Sequence, residues 1–222
     1  MPLFPLKLVA FPGEELNLHI FEPRYRQLIS DISEHDQTFG ICVYNDKLTG
    51  FGTEVKLEAI HHRYDDGRLD IRTIGLKAFK IKDFQNPMED KLYAGGEVEY
   101  LVDDPNLTNV QYFEFLFYLK EMLYLLNHQV EVDPETTTSF TYAHKVGLKL
   151  EEELELLVMP SESLRVDYLI RHFKRMIPAI KALEEAKKKI RQNGHFKHLD
   201  PWIFNRYFLP AIFCTRIRSS VA

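Results

Sequence analysis

Apolar residues crowd the start of the chain at Leu3, Phe4, Leu6, Leu8 and Val9, with Pro2 and Pro5 among them. Proline cannot donate to a ladder, so this segment predicts a strand confined to a sheet edge or a strand start. Pro12-Gly13 follows, a fixed φ and then a residue free to take a positive one, which predicts a type II turn. Leu16, Leu18 and Ile20 then alternate with polar neighbours, as a half-buried strand does. After Phe21 the period changes. Pro23 suits the first position of a helix, Glu22 puts negative charge at its positive end, and Tyr25, Leu28, Ile29 and Ile32 recur at helical spacing. The segment reads as strand, turn, strand and short helix.

Residues 39–44, 53–62, 68–74, 77–84 and 97–102 read as further strands, most clearly where Val55, Leu57 and Ala59 alternate with charged neighbours. Asp65-Asp66-Gly67 separates two of these runs and predicts a hairpin with a primed turn. Six or seven strands with one short helix suit a small closed or nearly closed barrel, which leaves no exposed edge. At Asp103-Asp104-Pro105-Asn106 the pattern changes, and Asn106 or Thr108 can cap a helix. Helices are predicted over 108–127, 136–149 and 151–158, with an interruption at Val132-Asp133-Pro134. A long one runs from Pro160-Ser161 to Asn193-Gly194, its seam formed by Leu169, Phe173, Met176, Ile180 and Leu183. Pro178 should bend or break it. The expected fold is α+β, with a β-barrel over 1–104 and a helical bundle over 105–197. Residues 198–222 form an apolar tail containing Trp202, Phe204, Tyr207, Phe208 and Phe213. Its apolar area favours packing against the rest of the chain over exposure to water.

The opening residues Pro2-Leu3-Phe4-Pro5-Leu6, the Pro12-Gly13 turn and Ile20-Phe21-Glu22-Pro23-Arg24-Tyr25 resemble, in order and spacing, the N-terminal substrate-binding domain of the Lon protease family. The similarity continues through Phe39-Gly40-Ile41, Gly52-Thr53-Glu54-Val55 and Gly67 to Ile81. It covers about residues 1–102 as a barrel, with a looser helical likeness to about residue 197. The resemblance implies a PUA-like barrel and a role in recognising protein segments.

Composition is that of a soluble globular chain, with 45% hydrophobic residues among 222 and a net charge of −5. Acids outnumber bases before residue 105, and bases slightly outnumber acids after it. The whole-chain charge gives no case for nucleic acid. Cys42 and Cys214 are too few and too far apart for a disulfide framework, which fits a reducing, cytoplasmic setting. The start carries no secretory pattern, and the most apolar stretch, 113–126, is interrupted by Glu114, Lys120 and Glu121 and is too short to span a membrane.

Lon proteases are driven by ATP, but the chain contains no G-x-x-x-x-G-K-[ST] phosphate loop and no counterpart of the serine and lysine protease domain. His195 and His198 have no further ligands at a metal-binding spacing, and the glutamates 151–153 and 155 spread around a helix. Ser161 reads as a helix cap. No catalytic residue, cofactor or metal is expected. With those catalytic parts missing, the resemblance implies a non-enzymatic module binding unfolded or hydrophobic protein segments or a specific protein partner. Phe11, Phe21, Arg24, Tyr25 and Phe51 are the candidate contacts, although Phe21 and Tyr25 also suit packing of the short helix on the barrel. The alternative is RNA binding through the basic long helix, which carries Arg171, Lys174, Arg175, Lys181, Lys187, Lys188, Lys189 and Arg191.

Overall fold

The computed structural model describes residues 1–34 and 38–192, side chains being described to Ile190. The expected helix stop at Asn193-Gly194, the pair His195 and His198, and the apolar tail lie outside the described residues. The chain divides into two units: Met1–Val102 with Glu153–Pro160, and Asp103–Glu152 with the residues from Ser161 onward.

The first unit is built on a mixed sheet of seven strands: β1 (Pro2–Leu6), β2 (Glu15–Ile20), β3 (Thr38–Asn45), β4 (Lys47–Arg63), β5 (Leu69–Ile81), β6 (Ala94–Gly95) and β7 (Val98–Tyr100). The order is β2-β5-β4-β3-β1-β6, and β7 pairs with β5. Only β1 and β3 run parallel. Among the described residues no ladder joins β2 to β6, so this path is open at its two ends, while β7, which follows β6 along the chain, pairs with β5. The opening turn forms as the sequence predicts, with the Glu14 amide donating to the Phe11 carbonyl and Gly13 at φ 79°.

The two strands expected over 68–74 and 77–84 are one, β5, interrupted by a bulge. Opposite β4 the pairing moves from Val55 with Gly75 to Glu54 with Lys77, so Leu76 is the extra residue. A bulge switches the face on which later residues stand. Leu69 and Ile71 accordingly join one core cluster, with Ile20, Leu28, Ile29, Phe39 and Ile41, while Phe79 joins a second with Leu3, Cys42 and Ala94. Gly75 is required at the bulge, because a Cβ there would stand 2.0 Å from the Phe11 carbonyl oxygen. β1 feeds both clusters by simple alternation, Leu3 to one and Phe4 to the other. Burial also pushes the Cys42 thiol up to about 12, which keeps it protonated and unreactive.

In the second unit α2 (Asn109–Leu125) begins with a capping box, in which Thr108 and Gln111 each satisfy the other's backbone amide. It packs along α4 (Glu162–Gln192) in parallel, with Phe115 6.2 Å from Phe173 and Glu114 bonded to Lys174. α4 continues through Pro178 without a break. The helix expected over 136–149 is absent. Thr136 and Thr137 turn their hydroxyls to Asp133, and Thr141 accepts the Thr138 amide. Such local bonds compete with a helical ladder and leave turns and one 3-10 turn, Ala143–Lys145. Only the first three residues of α3 (Leu150–Val158) belong to this unit, the rest falling in the first. The described part of this unit is thus a helix pair with a turn-rich segment, and not the bundle expected from four helices.

Candidate functional site

The first unit places its remaining helix, α1 (Pro23–Ser33), directly after β2. Glu22 is the N-cap residue, and its carboxylate accepts from Arg24 instead of capping the helix. The Arg24 guanidinium lies 4.5 Å above the Tyr25 ring. Tyr25 itself is buried against Phe4, with ring centroids 3.7 Å apart, and burial raises its phenol above the ordinary range. α1 is held on its flank where Asp31 accepts from Lys91 and Tyr93, and where Gln27 accepts the Leu92 amide.

The hairpin between β4 and β5 is tied to the same helix. It is a three-residue loop: the Tyr64 amide donates to Arg68, the Gly67 amide donates to Tyr64, and Gly67 alone takes a left-handed φ of 85°. The primed turn needs two successive positive φ values, whereas Asp65 and Asp66 do not adopt them. Asp66 instead accepts from the Arg68 amide and guanidinium, and these bonds hold its carboxyl below the usual range. Arg26 of α1 donates to the Asp66 carbonyl at 2.8 Å. A Cβ on Gly67 would stand 2.5 Å from that guanidinium, so this glycine also permits the approach of the helix side chain.

The β2–β5 register sets His19 opposite Asp70. His19 Nδ1 lies 2.6 Å from Asp70 Oδ1, and the Tyr64 hydroxyl donates to Oδ2 at 2.8 Å. Burial alone would raise the Asp70 carboxyl, but these two hydrogen bonds outweigh it and hold the group below its ordinary value. The same bond to Asp70 raises the Tyr64 phenol. Around this carboxylate the rings gather. His19 stacks with Phe21 at 6.2 Å, the His62 and Tyr64 rings meet edge to face at 4.3 Å, and the Arg68 guanidinium covers Tyr64 at 4.9 Å. Phe21 is 60% exposed. A groove of about 400 Å³ adjoins the hairpin, lined by Arg26, Ile29, Ser30, Arg63, Tyr64 and Leu69.

The five contacts expected from the sequence therefore separate. Phe21 and Arg24 face solvent at this site. Phe11 and Tyr25 are buried, and Phe11 lies by Gly75, at the opposite end of the β2–β5 ladder from His19 and Asp70. Phe51 pairs with Lys80, at the far end of the ladder that brings His62 to Asp70. His19, Tyr64, Arg68 and Asp70 were not singled out by sequence reading, since only strand register joins residues so far apart. Among the described residues no three potential metal ligands converge, and the cluster offers aromatic faces, guanidinium groups and one held carboxylate rather than a nucleophile paired with a base.

Residues 1–175 match the family described as the ATP-dependent protease La (LON) substrate-binding domain. The chain belongs to this Lon substrate-binding domain family. Similar curated proteins include protein cereblon from Xenopus tropicalis, 28% identical over 100 residues, covering 43% of this chain and 22% of that protein. Protein cereblon from Danio rerio is 22% identical over 116 residues, covering 47% of this chain and 27% of the relative. The chain thus spans about a quarter of the length of the curated relatives it matches. Two solved structures share the Lon N-terminal fold. The Lon N-terminal domain protein from Xanthomonas campestris aligns with a TM-score of 0.61 at 24% identity, over 77% of this chain and 96% of that one. The N-terminal domain of the Mycobacterium avium complex Lon protease aligns with a TM-score of 0.57 at 14% identity, over 78% and 97%. The family match identifies a substrate-binding domain and no catalytic one. Among the described residues no helix is long and apolar enough to cross a membrane.

Proposed function

We propose that this chain is a protein-recognition module that captures exposed hydrophobic or unfolded segments, or one partner presenting such a segment, and performs no chemistry on them. The observation that carries this reading is the solvent-facing cluster of Phe21, His19, His62, Tyr64 and Arg68 at the end of β2, with Arg24 three residues beyond Phe21. Apolar rings beside guanidinium groups suit extended polypeptide, whose side chains share little else. Among the described residues β2 has a ladder on one side only, which fits the addition of an extended segment as a further strand. Membership of the Lon substrate-binding domain family supports the same conclusion. In this reading the core that Leu16, Ile20, Phe4 and Tyr93 share holds the PUA-like barrel together.

The RNA-binding reading draws on the cations of α4. Lys174, Arg175, Lys181 and Lys187 are each held by a carboxylate, from Glu114, Glu152, Glu121 and Glu184. This leaves less free charge for phosphate than the sequence suggested.

Fluorescence anisotropy of a labelled, permanently unfolded polypeptide, titrated with the protein at low and moderate salt, tests the proposal. Binding should change little with salt, whereas RNA binding weakens steeply. The change Phe21→Ala, removing a ring worth about 1–2 kcal/mol at an interface, should weaken binding about 5–30-fold. Binding of RNA alone, or equal affinity of the Phe21→Ala and Arg24→Ala variants and the parent for polypeptide, would overturn it.

A further inference from the structure

α2 is apolar nearly all round. Phe115, Leu116, Leu119, Met122 and Leu123 are buried, as expected of a helix packed along α4. The opposite face carries Val110, Phe113, Phe117 and Tyr124, which are 65–80% exposed. Their steps of three, four and seven form one stripe, roughly 20 Å long at 1.5 Å per residue. A helix face meant for water carries polar residues. This one carries a single cation, Lys120, for which no ion-pair partner stands among the described residues.

We propose that this stripe is covered by residues 202–213 of the same chain. The segment Trp202-Ile203-Phe204, Tyr207-Phe208-Leu209 and Ile212-Phe213 supplies apolar area to match the stripe. Its tether begins in the right place. Gln111 bonds to Asp167 and Glu114 to Lys174, so α2 and α4 run in the same direction. Glu121 bonds to Lys181, which carries the end of α2 to about residue 185 of α4. Gln192 then lies roughly 10 Å beyond it. The nine residues 193–201 can span roughly 30 Å, more than enough to turn back and lay the apolar segment along the stripe. Asp200 is the sole acid between residues 193 and 222, just ahead of Trp202, and Lys120 is the sole cation of the stripe. A tethered segment also meets the face at an effective concentration on the order of millimolar, which favours it over a partner arriving from solution.

Trp202 is the only tryptophan, so its emission reports on this segment alone. In the full chain it should emit toward the blue and resist acrylamide. Phe117→Asp, on the exposed face and away from the α4 contact, should shift the emission to the red and raise quenching toward the level of the chain in denaturant, with far-ultraviolet dichroism unchanged. Tyr124→Asp should do the same, which guards against a folding defect peculiar to one site. Protection that is lost on dilution would place a second copy on the stripe and overturn the proposal. So would a Trp202 already open to acrylamide in the parent, or one that is protected in the parent and indifferent to both variants.

Discussion

Replacing Arg165 by Met removes the centre of a buried polar network in the second unit. Arg165 is 3% exposed, and its Nε donates to Glu162 at 2.9 Å and to the Ser139 hydroxyl at 3.1 Å. A further bond reaches Asp103 at 2.7 Å, and the guanidinium lies 4.5 Å above the Phe140 ring. Removing one partner of a buried ion pair costs about 3–5 kcal/mol, because the other charge is left uncompensated. Glu162 retains the amide and hydroxyl of Ser139, both at 2.7 Å, so the lower end of that range applies. Asp103 is 59% exposed, and its bond adds at most about 1 kcal/mol. A loss of about 3 kcal/mol corresponds to a fall in Tm of about 6–12 °C for a chain of this size, measurable by calorimetry. The decisive comparison uses the Glu162→Gln background. There the amide oxygen still accepts from Ser139, no buried anion remains, and Arg165→Met should cost only about 1 kcal/mol of hydrogen bonding. The two backgrounds should therefore differ by about 2 kcal/mol. Equal losses in both would show that the network acts through packing and not through charge.

Two further outcomes follow from single groups. His172 is buried, with Nε2 donating to the Val146 carbonyl at 2.9 Å and Nδ1 facing the Arg175 guanidinium. Burial lowers its pKa below 6.5, against smaller opposing effects of the carbonyl and Glu152. The unfolded chain then takes up the proton first, so stability is fully present above the unfolded pKa and falls as pH drops from about 6.5 toward the folded value. Urea denaturation at several pH values should show this loss in the parent and not in His172→Gln, and parallel losses in both would refute it. Gly67→Ala imposes the left-handed φ of 85° on a residue with a Cβ and should cost about 1–2 kcal/mol, of which Gly67→Asn recovers the backbone part while still displacing Arg26. Thermal melts that rank alanine above asparagine would contradict this.

Much of the first unit was legible in the sequence because its instructions are local. Pro12-Gly13 fixes its own turn and Pro23 its own helix start, and in the second unit Thr108, one of the two caps expected with Asn106, does cap its helix. What was not legible depends on competition or on register. The stretch 136–149 is expected to be helical, yet the side chains of Asp133, Thr137 and Thr141 bind the backbone first. The bulge at Leu76 could not be read, since the contact that demands a glycine beside it comes from the Phe11 carbonyl, some sixty residues earlier. Asp70 gains its meaning only when β2 and β5 pair and bring His19 and Tyr64 to one carboxylate.

On the proposed function, that carboxylate accounts for how an exposed aromatic surface would serve recognition. A binding surface made of free rings must pay to order them when a partner arrives, and it invites association meanwhile. Here Asp70 fixes the rings of His19 and Tyr64 by hydrogen bonds, and Phe21 stacks on the first of these. Arg24 and Arg68 cover ring faces while remaining partly exposed, each steadied by a nearby acid, Glu22 or Asp66. The rings are thereby held in place before binding, and the charges among them oppose indiscriminate sticking at the unpaired edge of β2. Rigid apolar surface guarded by paired charge is what a module needs if it is to capture extended segments without assembling with itself.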